Sequence, residues 1–436
     1  MSNRIKNQKS ILEKLKIEQL NPMQEEAHLA IQASSEVVLL SPTGTGKTLA
    51  FLLPIIAELN PKIAEVQVLI IVPSRELAIQ IEQVARDMGT GLKINSVYGG
   101  QYFSKDRMRL EHRPAILIGT PGRVADHLRR ETFDGDRVDT LVLDEFDKSL
   151  EIGFEEDMQD IINALPNVQK KVLTSATEEI SIPHFVGLEN PIEINYLEEG
   201  VTQLKIKRIV SPEKDKLETL LKALCHLGNQ PGIIFCNFKD SIRRVSDFLT
   251  ENKISHGCFY GGMEQNDRER ALIKFRNGTH QLIIATDLAA RGIDVPEIKF
   301  IIHYHLPFRS QEFTHRNGRT ARMNNDGTAF VLHWVEDELP EFIDIPEVEE
   351  LLPAEIPEPA EWKTIFISGG RKDKISKGDV AGFFIKQGDL EKDDLGIIEL
   401  KEDCAFAAVK AVKVKSLIPK LDNKKIKKRK VRVRVI

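Results

Sequence analysis

The segment that most constrains the fold of this chain is residues 41–48, which read SPTGTGKT. It follows an apolar run at 37–40 and precedes another at 49–53, so a strand, a tight turn and a helix start meet within about a dozen residues. Gly44 and Gly46 allow the backbone to turn its amide hydrogens toward one point, where the helix N-terminus adds positive potential. This context predicts a phosphate-binding loop. The alternative is an ordinary Gly-rich turn, because the loop begins with Ser where the standard loop has Gly.

The side chains in and near this loop suit ATP and its metal ion. Lys47 can reach the β- and γ-phosphates, and Thr48 can offer its hydroxyl to Mg²⁺. Gln24 stands near an early helix start and can read an adenine edge with its amide, although a solvated helix residue is the alternative. The other residues that we predict to bind ATP are Ser41, Thr43, Gly44, Thr45 and Gly46.

The composition indicates a globular protein with two or three domains. The chain has 436 residues, of which 41% are hydrophobic and 29% charged. No apolar run reaches about eighteen residues, and the start MSNRIKNQKS has no apolar signal core, so we expect no membrane span and a cytoplasmic location. The four cysteines are scattered without metal-ligand spacing, which fits a reducing compartment better than a disulfide framework or a zinc site.

The net charge of −5 hides a strong segregation of charge along the chain. Residues 336–361 hold eleven acids and no Lys or Arg, whereas residues 363–436 hold twenty Lys and Arg against ten acids. Five prolines in the acidic stretch predict a stiff, solvated spacer that does not pack. We therefore expect domains at 1–200 and 201–335, an acidic linker at 336–362 and a basic tail domain at 363–436.

Apolar strand runs alternate with helical segments after the phosphate loop, which predicts a parallel sheet with helices on both faces. Ligands of such sheets collect at the carboxyl ends of the strands. The predicted strands are 68–72, 94–98, 115–118, 140–143 and 171–173. Polar clusters follow at 73–76, 120–123, 144–147 and 175–177.

The cluster that begins with Asp144 and Glu145 supplies the carboxylates that ATP hydrolysis needs. Asp144 can hold the Mg²⁺ shell, and Glu145 can orient and polarise an attacking water. The alternative is a solvated acidic turn. A strand end that carries two acids, about a hundred residues after a phosphate loop, favours the catalytic interpretation.

A second alternating series predicts a second α/β domain without a phosphate loop of its own. Its predicted strands are 205–210, 233–236, 256–260, 282–285, 300–304 and 327–332. Arg316, Arg319 and Arg322 recur every three residues, which predicts one side of a short helix or of its approach, as a surface without paired acids. That side would bind anions or face another domain, unless it is a plain solvated face. We expect one domain to bind the nucleotide and the other to supply arginines to the γ-phosphate across a cleft.

Residues 10–335 resemble the DEAD-box ATP-dependent RNA helicases, because their motifs agree in identity, order and spacing. SPTGTGKT is similar to motif I, DEFD at 144–147 to motif II, and Ser175-Ala176-Thr177 to motif III. The resemblance implies two tandem RecA-like domains, hydrolysis of ATP with Mg²⁺, and RNA as the partner.

The resemblance also implies roles for individual residues. Catalysis is assigned to Lys47, Asp144, Glu145, Arg319 and Arg322, the metal to Thr48 and Asp144, the nucleotide to Gln24 and Asp294, and coupling to Asp147, Ser175, Thr177, His315 and Arg316. RNA contacts in the two domains are assigned to Arg75, Gly100, Thr120, Arg123, Gln265, Arg268, Thr286 and Arg291.

The sequence departs from the family pattern at three places. The stacking aromatic that the family has before the adenine-reading Gln is missing around Asn7, so we expect looser adenine specificity. Phe146 replaces the usual Ala of motif II, which predicts altered coupling with motif III and preserved hydrolysis. Ala321 replaces the usual Gly of the last motif, a small change.

The tail, 363–436, reads as a small RNA-recognition-like α+β unit. Its run at 369–375, GGRKDKI, supported by 393–398 and Phe406, resembles the C-terminal domain of bacterial DbpA-type helicases. That resemblance implies binding to a structured hairpin of large-subunit ribosomal RNA. The run 430–435 alternates Val with Lys and Arg, which predicts a strand with valines on a core and cations in solvent. Phe366 and Phe406 can stack on bases or pack in the core. The basic residues that we predict to bind RNA here are Arg371, Lys372, Lys374, Arg432 and Arg434.

These features together predict an RNA-dependent ATPase that separates short RNA duplexes, with ribosomal RNA as the expected target. An ATP-gated RNA clamp that turns over too slowly to unwind is the first alternative, which Phe146 makes conceivable. A DNA translocase of the same superfamily is the second alternative, and the tail argues against it.

Overall fold

The computed structural model describes residues 7–151, 153–177, 182–197, 204–287, 298–320, 327–344 and 347–436. The described residues fall into two compact units. The first unit ends at residue 197 and holds domain 1. The second unit starts at residue 204 and holds domain 2, the acidic segment and the tail.

Domain 1 is built on a parallel sheet with the order β3-β4-β2-β5-β6-β1-β7 among its described residues. Its strands are β1 Glu36–Leu40, β2 Val68–Ile71, β3 Ile94–Val97, β4 Ile116–Gly119, β5 Thr140–Leu143, β6 Lys170–Ser175 and β7 Ile192–Asn195. The predicted α/β fold and the strands named from the sequence are confirmed here. The sequence missed β7, an edge strand in which only Ile194 is buried, so no apolar run marks it.

Both faces of this sheet are buried, as the continuous apolar runs of its strands predict. Val37 and Leu39 of β1 belong to one apolar cluster, and Val38 and Leu40 belong to the other. The covering helices are α1 Gln8–Leu15, α2 Pro22–Ala33, α3 Lys47–Glu58, α4 Arg75–Asp87, α5 Phe103–Leu110, α6 Pro121–Arg129, α7 Phe146–Glu151 and α8 Glu155–Asn163.

Domain 2 has a parallel sheet with the order β10-β11-β9-β12-β13-β8 in the described part of the chain. Its strands are β8 Leu204–Ser211, β9 Gly232–Phe235, β10 His256–Phe259, β11 Leu282–Ala285, β12 Phe300–His303 and β13 Gly327–Trp334. Its helices are α9 Leu217–Leu227, α10 Lys239–Glu251, α11 Gln265–Arg276 and α12 Ser310–Asn317. The second α/β domain is therefore confirmed.

The acidic segment packs against domain 2, so the expectation of a solvated spacer is wrong for much of its length. Ile343 is 2% exposed and shares an apolar cluster with Phe313 and Val331. Further along, the backbone on either side of Val348 bonds to Arg208 of β8. The Arg208 amide donates to the Glu347 carbonyl at 3.0 Å, and the Glu349 amide donates to the Arg208 carbonyl at 2.8 Å. The apolar residues between the acids were the signal that the charge count obscured.

The tail is an α+β unit whose antiparallel sheet has the order β15-β16-β14-β19. Its elements are β14 Trp362–Ile367, α13 Lys377–Gly388, β15 Leu395–Leu400, β16 Ala405–Lys410, α14 Ala411–Leu421, the hairpin strands β17 Lys425–Ile426 and β18 Arg429–Lys430, and β19 Val433–Val435. The single strand predicted over 430–435 is wrong, because the ladder breaks between β18 and β19. Val431 and Val433 are buried as predicted, whereas Val435 is 45% exposed.

Candidate ATP site and RNA-facing edges

The phosphate loop joins β1 to α3 in domain 1. Gly44 and Gly46 have φ of 93° and 90°, a left-handed region that favours glycine. A Cβ on Gly46 would lie 2.3 Å from Nε2 of Gln24, so a side chain there would also displace the Gln24 amide. The Ser41 amide donates to the carbonyl of Ser175 at 3.0 Å, which ties the loop to the end of β6.

Ser41 replaces the usual Gly of the loop and has a role in bracing it. Its side chain is buried, and its hydroxyl lies 2.7 Å from the hydroxyl of Thr45. Thr45 donates to the carbonyl of Pro42 at 2.9 Å, so Ser41 is the donor in the hydroxyl pair. The half-buried Thr43 lies between these residues. The departure from the standard motif therefore leaves the loop conformation intact.

Lys47 opens α3, and its ammonium group folds over the loop. Nζ donates to the carbonyls of Ser41 at 2.5 Å and Pro42 at 3.0 Å. Burial lowers the pKa of Lys47 to about 8. Within the described chain, the hydrogen bonds of this buried cation go to two neutral carbonyls, which the phosphates of ATP can replace.

Gln24 is held against the phosphate loop by its own hydrogen bonds. Its Nε2 donates to the carbonyl of Gly46 at 3.2 Å, and its Oε1 accepts from the amide of Asn21 at 3.1 Å. Asn21 in turn caps α2 and donates from Nδ2 to the carbonyl of Thr45 at 3.0 Å. Sequence analysis missed Asn21, although the Asn-Pro-Met-Gln order is that of a capping box.

Asp144 and Glu145 lie at the carboxyl end of β5, and a buried Thr174 organises both. Its hydroxyl donates to Oδ1 of Asp144 and accepts from the amide of Glu145 at 3.2 Å. Burial, together with the charge of Glu145, raises the pKa of Asp144 to about 6. Glu145 has φ of 49°, an uncommon conformation for a residue with a side chain, and pairs with the buried Lys148 at 2.7 Å. Sequence analysis missed Thr174 and Lys148.

Three of the residues predicted to couple ATP to RNA, all in domain 1, meet at the ends of β5 and β6. The amide of Thr177 donates to Oγ of Ser175 at 3.0 Å, and its hydroxyl donates to Oδ2 of Asp147 at 3.4 Å. Phe146 is 1% exposed and belongs to the apolar cluster on one face of the sheet. The contact between the two motifs therefore forms with Phe146 in the core.

The residues present fit a magnesium ion held together with nucleotide phosphates. Thr48 is half-buried at the start of α3, and Asp144 is a buried carboxylate beside a second one. The described residues contain no group of three or more His, Cys, Asp or Glu that can hold a metal. Mg²⁺ takes one or two protein ligands besides phosphate and water, and Thr48 and Asp144 would supply them.

The residues assigned to RNA in domain 1 follow β2, β3 and β4, on the other half of the same sheet edge. The guanidinium of Arg75 lies over Gly100, where a Cβ would approach its Nη1 to 2.4 Å. Thr120 immediately precedes α6, and its amide donates to the carbonyl of Val97 at 3.3 Å. Arg123 donates to the carbonyls of Tyr98, at 3.2 Å, and Gln101. Arg123 therefore holds the 98–101 loop in place.

Residues 21–182 match the DEAD/DEAH box helicase family, residues 215–324 the helicase conserved C-terminal domain, and residues 364–435 the DbpA RNA binding domain. The chain is 31% identical over 431 residues to the ATP-dependent RNA helicase DbpA of Escherichia coli (strain K12), covering 96% of this chain and 94% of that protein. The chain belongs to the DEAD-box ATP-dependent RNA helicases.

Two further similarities extend this assignment. The DbpA helicase of Bacillus subtilis (strain 168) is 31% identical over 435 residues, with 91% of each chain covered. The structure of Saccharomyces cerevisiae Dbp5 bound to RNA and ADP BeF3 has a TM-score of 0.67 and 26% identity, and covers 76% of this chain and 88% of that one. As a member of this family, the helicase hydrolyses ATP and binds RNA. In its described residues no helix is long and apolar enough to cross a membrane.

The helicase carries its predicted RNA contacts of domain 2 on α11 and after β11. Gln265 and Arg268 are half-buried in the first turn of α11, and the guanidinium of Arg268 lies 4.8 Å from the ring centroid of Phe259. Thr286 follows β11, and its amide donates to the carbonyl of Phe259 at 3.3 Å.

The prediction of an arginine surface without paired acids is wrong for Arg316. This side chain is 1% exposed and bonds to both carboxylate oxygens of Asp287, at 2.6 and 2.5 Å, to the carbonyl of His305 and to Oδ1 of Asn237. Arg319 lies beyond the end of α12 and is 3% exposed, and His315 is also buried. The spacing of three predicted one side of a short helix or of its approach, and the helix itself ends at Asn317.

The basic residues predicted to bind RNA in the tail lie in two places. Arg371, Lys372 and Lys374 form a turn after β14, where Lys372 pairs with Glu402 at 3.2 Å. Arg432 is exposed and pairs with Asp422 at 3.0 Å, whereas Arg434 lies 4.9 Å from the ring centroid of Phe366. Arg291, Asp294 and Arg322 lie outside the described residues.

Proposed function

We propose that this helicase separates short RNA duplexes in large-subunit ribosomal RNA during ribosome assembly in the cytoplasm. The observation that carries the proposal is the division of the sheet edge in domain 1. The phosphate loop follows β1 and Asp144 follows β5, and these two strands lie on either side of β6 in the sheet. The residues assigned to RNA follow β2, β4 and β3, on the other half of the sheet. The tail, which matches the DbpA RNA binding domain, supports ribosomal RNA as the target.

In this proposal the buried groups of domain 1 divide the work of ATP hydrolysis. Lys47 and the loop amides bind the phosphates, and Glu145 orients the attacking water. Thr48 and Asp144 would hold Mg²⁺, which when bound neutralises charge that develops on the phosphates. Thr174 is a positioning residue, because one hydroxyl fixes both acidic residues. The finger roles of Arg319 and Arg322 stay predictions.

The link from hydrolysis to RNA is proposed to run through Asp147, Ser175 and Thr177. Their hydrogen bonds join α7 to the end of β6, and the phosphate loop bonds to the same strand end at Ser175. A clamp that closes on RNA without unwinding it is the second candidate, favoured by the burial of the unusual Phe146 beside these groups. Measuring duplex unwinding and ATPase activity side by side distinguishes the two, and Phe146→Ala shows whether the ring sets their ratio.

The test of the target is steady-state ATPase with no RNA, with unstructured RNA and with large-subunit ribosomal RNA. The full chain is compared with a chain that ends at Pro353, which keeps the acidic residues that pack on domain 2. Stimulation by ribosomal RNA that disappears on truncation supports the proposal. Equal stimulation of both chains by any RNA contradicts a ribosomal target.

The test of the chemistry is Glu145→Gln. We expect ATP hydrolysis to fall by about 10²-fold or more, because a positioned base contributes about 10²–10⁴ in rate, while ATP still binds. Hydrolysis at the parent rate would remove the proposed role of Glu145.

A further inference from the structure

The sheet of the tail has one face on the tail's own core, and its other face is buried against domain 2. In β14 and β16, Ile365 and Val409 point into the core of the tail, so their neighbours Thr364 and Ala408 point the other way. Thr364, Phe406 and Ala408 are nevertheless only 0%, 4% and 2% exposed. An RNA-recognition sheet that stacks bases needs this face open.

The cover is the C-terminal end of α11 and the residues that follow it. Thr364 Oγ1 lies 2.7 Å from Thr279 Oγ1 and accepts from Nδ2 of Asn277 at 3.3 Å. Trp362 lies against Gly278, where a Cβ would be 3.4 Å from the indole. Asn277 and Thr279 are themselves 3% and 4% exposed, so both sides of the contact exclude water.

Two ion pairs flank this contact. Arg276 of α11 makes a bidentate pair with Glu399 of β15, at 2.7 and 2.9 Å, and Lys401 of the tail pairs with Glu269 of α11. The Arg276 and Glu399 side chains are 24% and 17% exposed, so the pair is partly shielded from solvent. Apolar, polar and charged contacts thus agree in closing the central part of the sheet face.

The tail has a second basic surface, the β17–β18 hairpin, where acids match only part of the charge: Lys427 pairs with Asp379 and Arg429 with Asp373. Lys425 and Lys430 are paired directly across the β17–β18 hairpin, and like charges in that position destabilise a ladder. Lys424 and Lys428 are exposed on the same hairpin, and within the described chain none of these four lysines forms an ion pair. A phosphate backbone would turn this repulsion into attraction.

This hairpin adjoins the predicted basic turn and, through it, α11. Nζ of Lys427 donates to the carbonyl of Lys374 at 2.7 Å. The amide of Arg371 donates to the carbonyl of Lys401 at 3.0 Å, and the Lys401 side chain reaches Glu269. A chain of contacts therefore links the hairpin to the helix whose first turn carries Arg268.

We propose that the tail binds the phosphates of a folded RNA through a hairpin surface, and that its sheet face serves to dock on domain 2. The hairpin surface comprises Arg371, Lys372, Lys374, Lys424, Lys425, Lys428 and Lys430. This inference deepens the proposed function by naming the surface that RNA meets. Of the two phenylalanines, it assigns Phe406 to docking and leaves Phe366, near the end of the inner strand β14, partly exposed.

The test measures the affinity of the full chain for a non-ribosomal RNA hairpin with a single-stranded extension, over about 50 to 200 mM salt. Lys425→Glu with Lys430→Glu reverses the hairpin charge. Lys392→Glu with Lys415→Glu is the matched control, since both are exposed lysines of the tail outside the hairpin surface. Phe366→Leu removes stacking on the sheet face and keeps an apolar side chain.

We expect the hairpin variant to lose about tenfold or more in affinity and to lower the salt slope by about two, while the control and Phe366→Leu bind like the parent. A hairpin variant that binds like the control overturns the inference. A loss in Phe366→Leu as large as that of the hairpin variant also overturns it, because the sheet face would then bind RNA. Lys425→Gln with Lys430→Gln removes the two charges without reversing them. If this variant has the melting temperature of the parent, its loss of affinity is due to charge and not to misfolding. Because the RNA probe is not ribosomal, the outcome of this test does not depend on whether ribosomal RNA is the target.

Discussion

Domains 1 and 2 wind their sheets in the same way and differ at the strand ends. When the strands are numbered from one in each domain, six strands of both sheets follow the same spatial order, 3-4-2-5-6-1. In domain 1 the first strand leads into the phosphate loop, whereas in domain 2 β8 leads into residues 212–216, which contain no glycine. The same fold therefore holds a nucleotide site in one copy and none in the equivalent loop of the other. The chemistry depends on the loops that the fold carries.

A lysine stands at the start of the first crossover helix in both domains, yet its surroundings differ. Lys47 donates to carbonyls of its own loop, which a phosphate can replace. Lys216 donates to the carbonyls of Tyr304 and Leu332 at 2.6 and 3.0 Å, at the ends of other strands. Lys216 therefore satisfies buried backbone groups, and Lys47 is available to a ligand.

The largest expected effect tests this contrast directly. Lys47→Ala should lower ATP turnover by about 10²- to 10³-fold, because it removes a cation aimed at the transferring phosphate. Lys216→Ala should leave turnover of the folded protein near the parent value and lower the free energy of unfolding by about 1–3 kcal/mol, since two buried carbonyls lose a donor. ATPase assays and urea unfolding measure both. Equal losses of turnover in the two variants would contradict the contrast.

A second prediction concerns Arg316, which domain 2 uses to brace its own strand ends. Arg316→Ala leaves the Asp287 carboxylate without its bidentate partner and should cost about 3 kcal/mol or more of unfolding free energy. Urea unfolding followed by tryptophan fluorescence reports on this unit, because both tryptophans, Trp334 and Trp362, lie in it. The companion Arg316→Ala with Asp287→Asn should recover part of the loss. An unchanged unfolding midpoint for Arg316→Ala would contradict this bracing role and favour an anion-binding role for Arg316.

The acid response provides a third test, because the strand ends of domain 2 carry buried histidines where domain 1 carries acids. Burial and the nearby Arg316 lower the pKa of His303 to about 3, and burial lowers that of His305 to about 4. Between pH 6.5 and these values the unfolded chain binds protons that the native chain does not, so stability falls as the pH falls. We expect a loss of up to about 1.4 kcal/mol per pH unit from His303. Tryptophan-detected urea midpoints at pH 6.5 and 5.5 measure it, and His303→Gln should flatten the response.

The smallest expected effect concerns the Arg276–Glu399 pair, which couples domain 2 to the tail and has no counterpart in the described residues of domain 1. A double-mutant cycle with Arg276→Ala and Glu399→Ala should give a coupling energy of about 1 kcal/mol, because the pair is partly exposed. Thermal unfolding of the four proteins measures it. A coupling energy of zero would show that the tail docks through its polar and apolar contacts alone.

What the sequence by itself determined was local in the chain. The phosphate loop, the two acids after β5 and the alternation of strands and helices could be predicted from neighbouring residues, because their conformations depend on glycine, burial period and strand ends within a few positions. Even the second domain was visible as a repeat of the same pattern. The glycine-free loop after β8 already indicated that it lacks a phosphate site.

The tertiary structure decided which charged side chains are available. Arg316 was predicted to face outward and instead binds Asp287, a residue distant in sequence. The acidic segment was predicted to be solvated and instead pairs with β8. The sheet of the tail closes on Thr279 of domain 2. A charge in the sequence does not reveal its partner, because ion pairs and docked faces join residues that only the folded chain brings together.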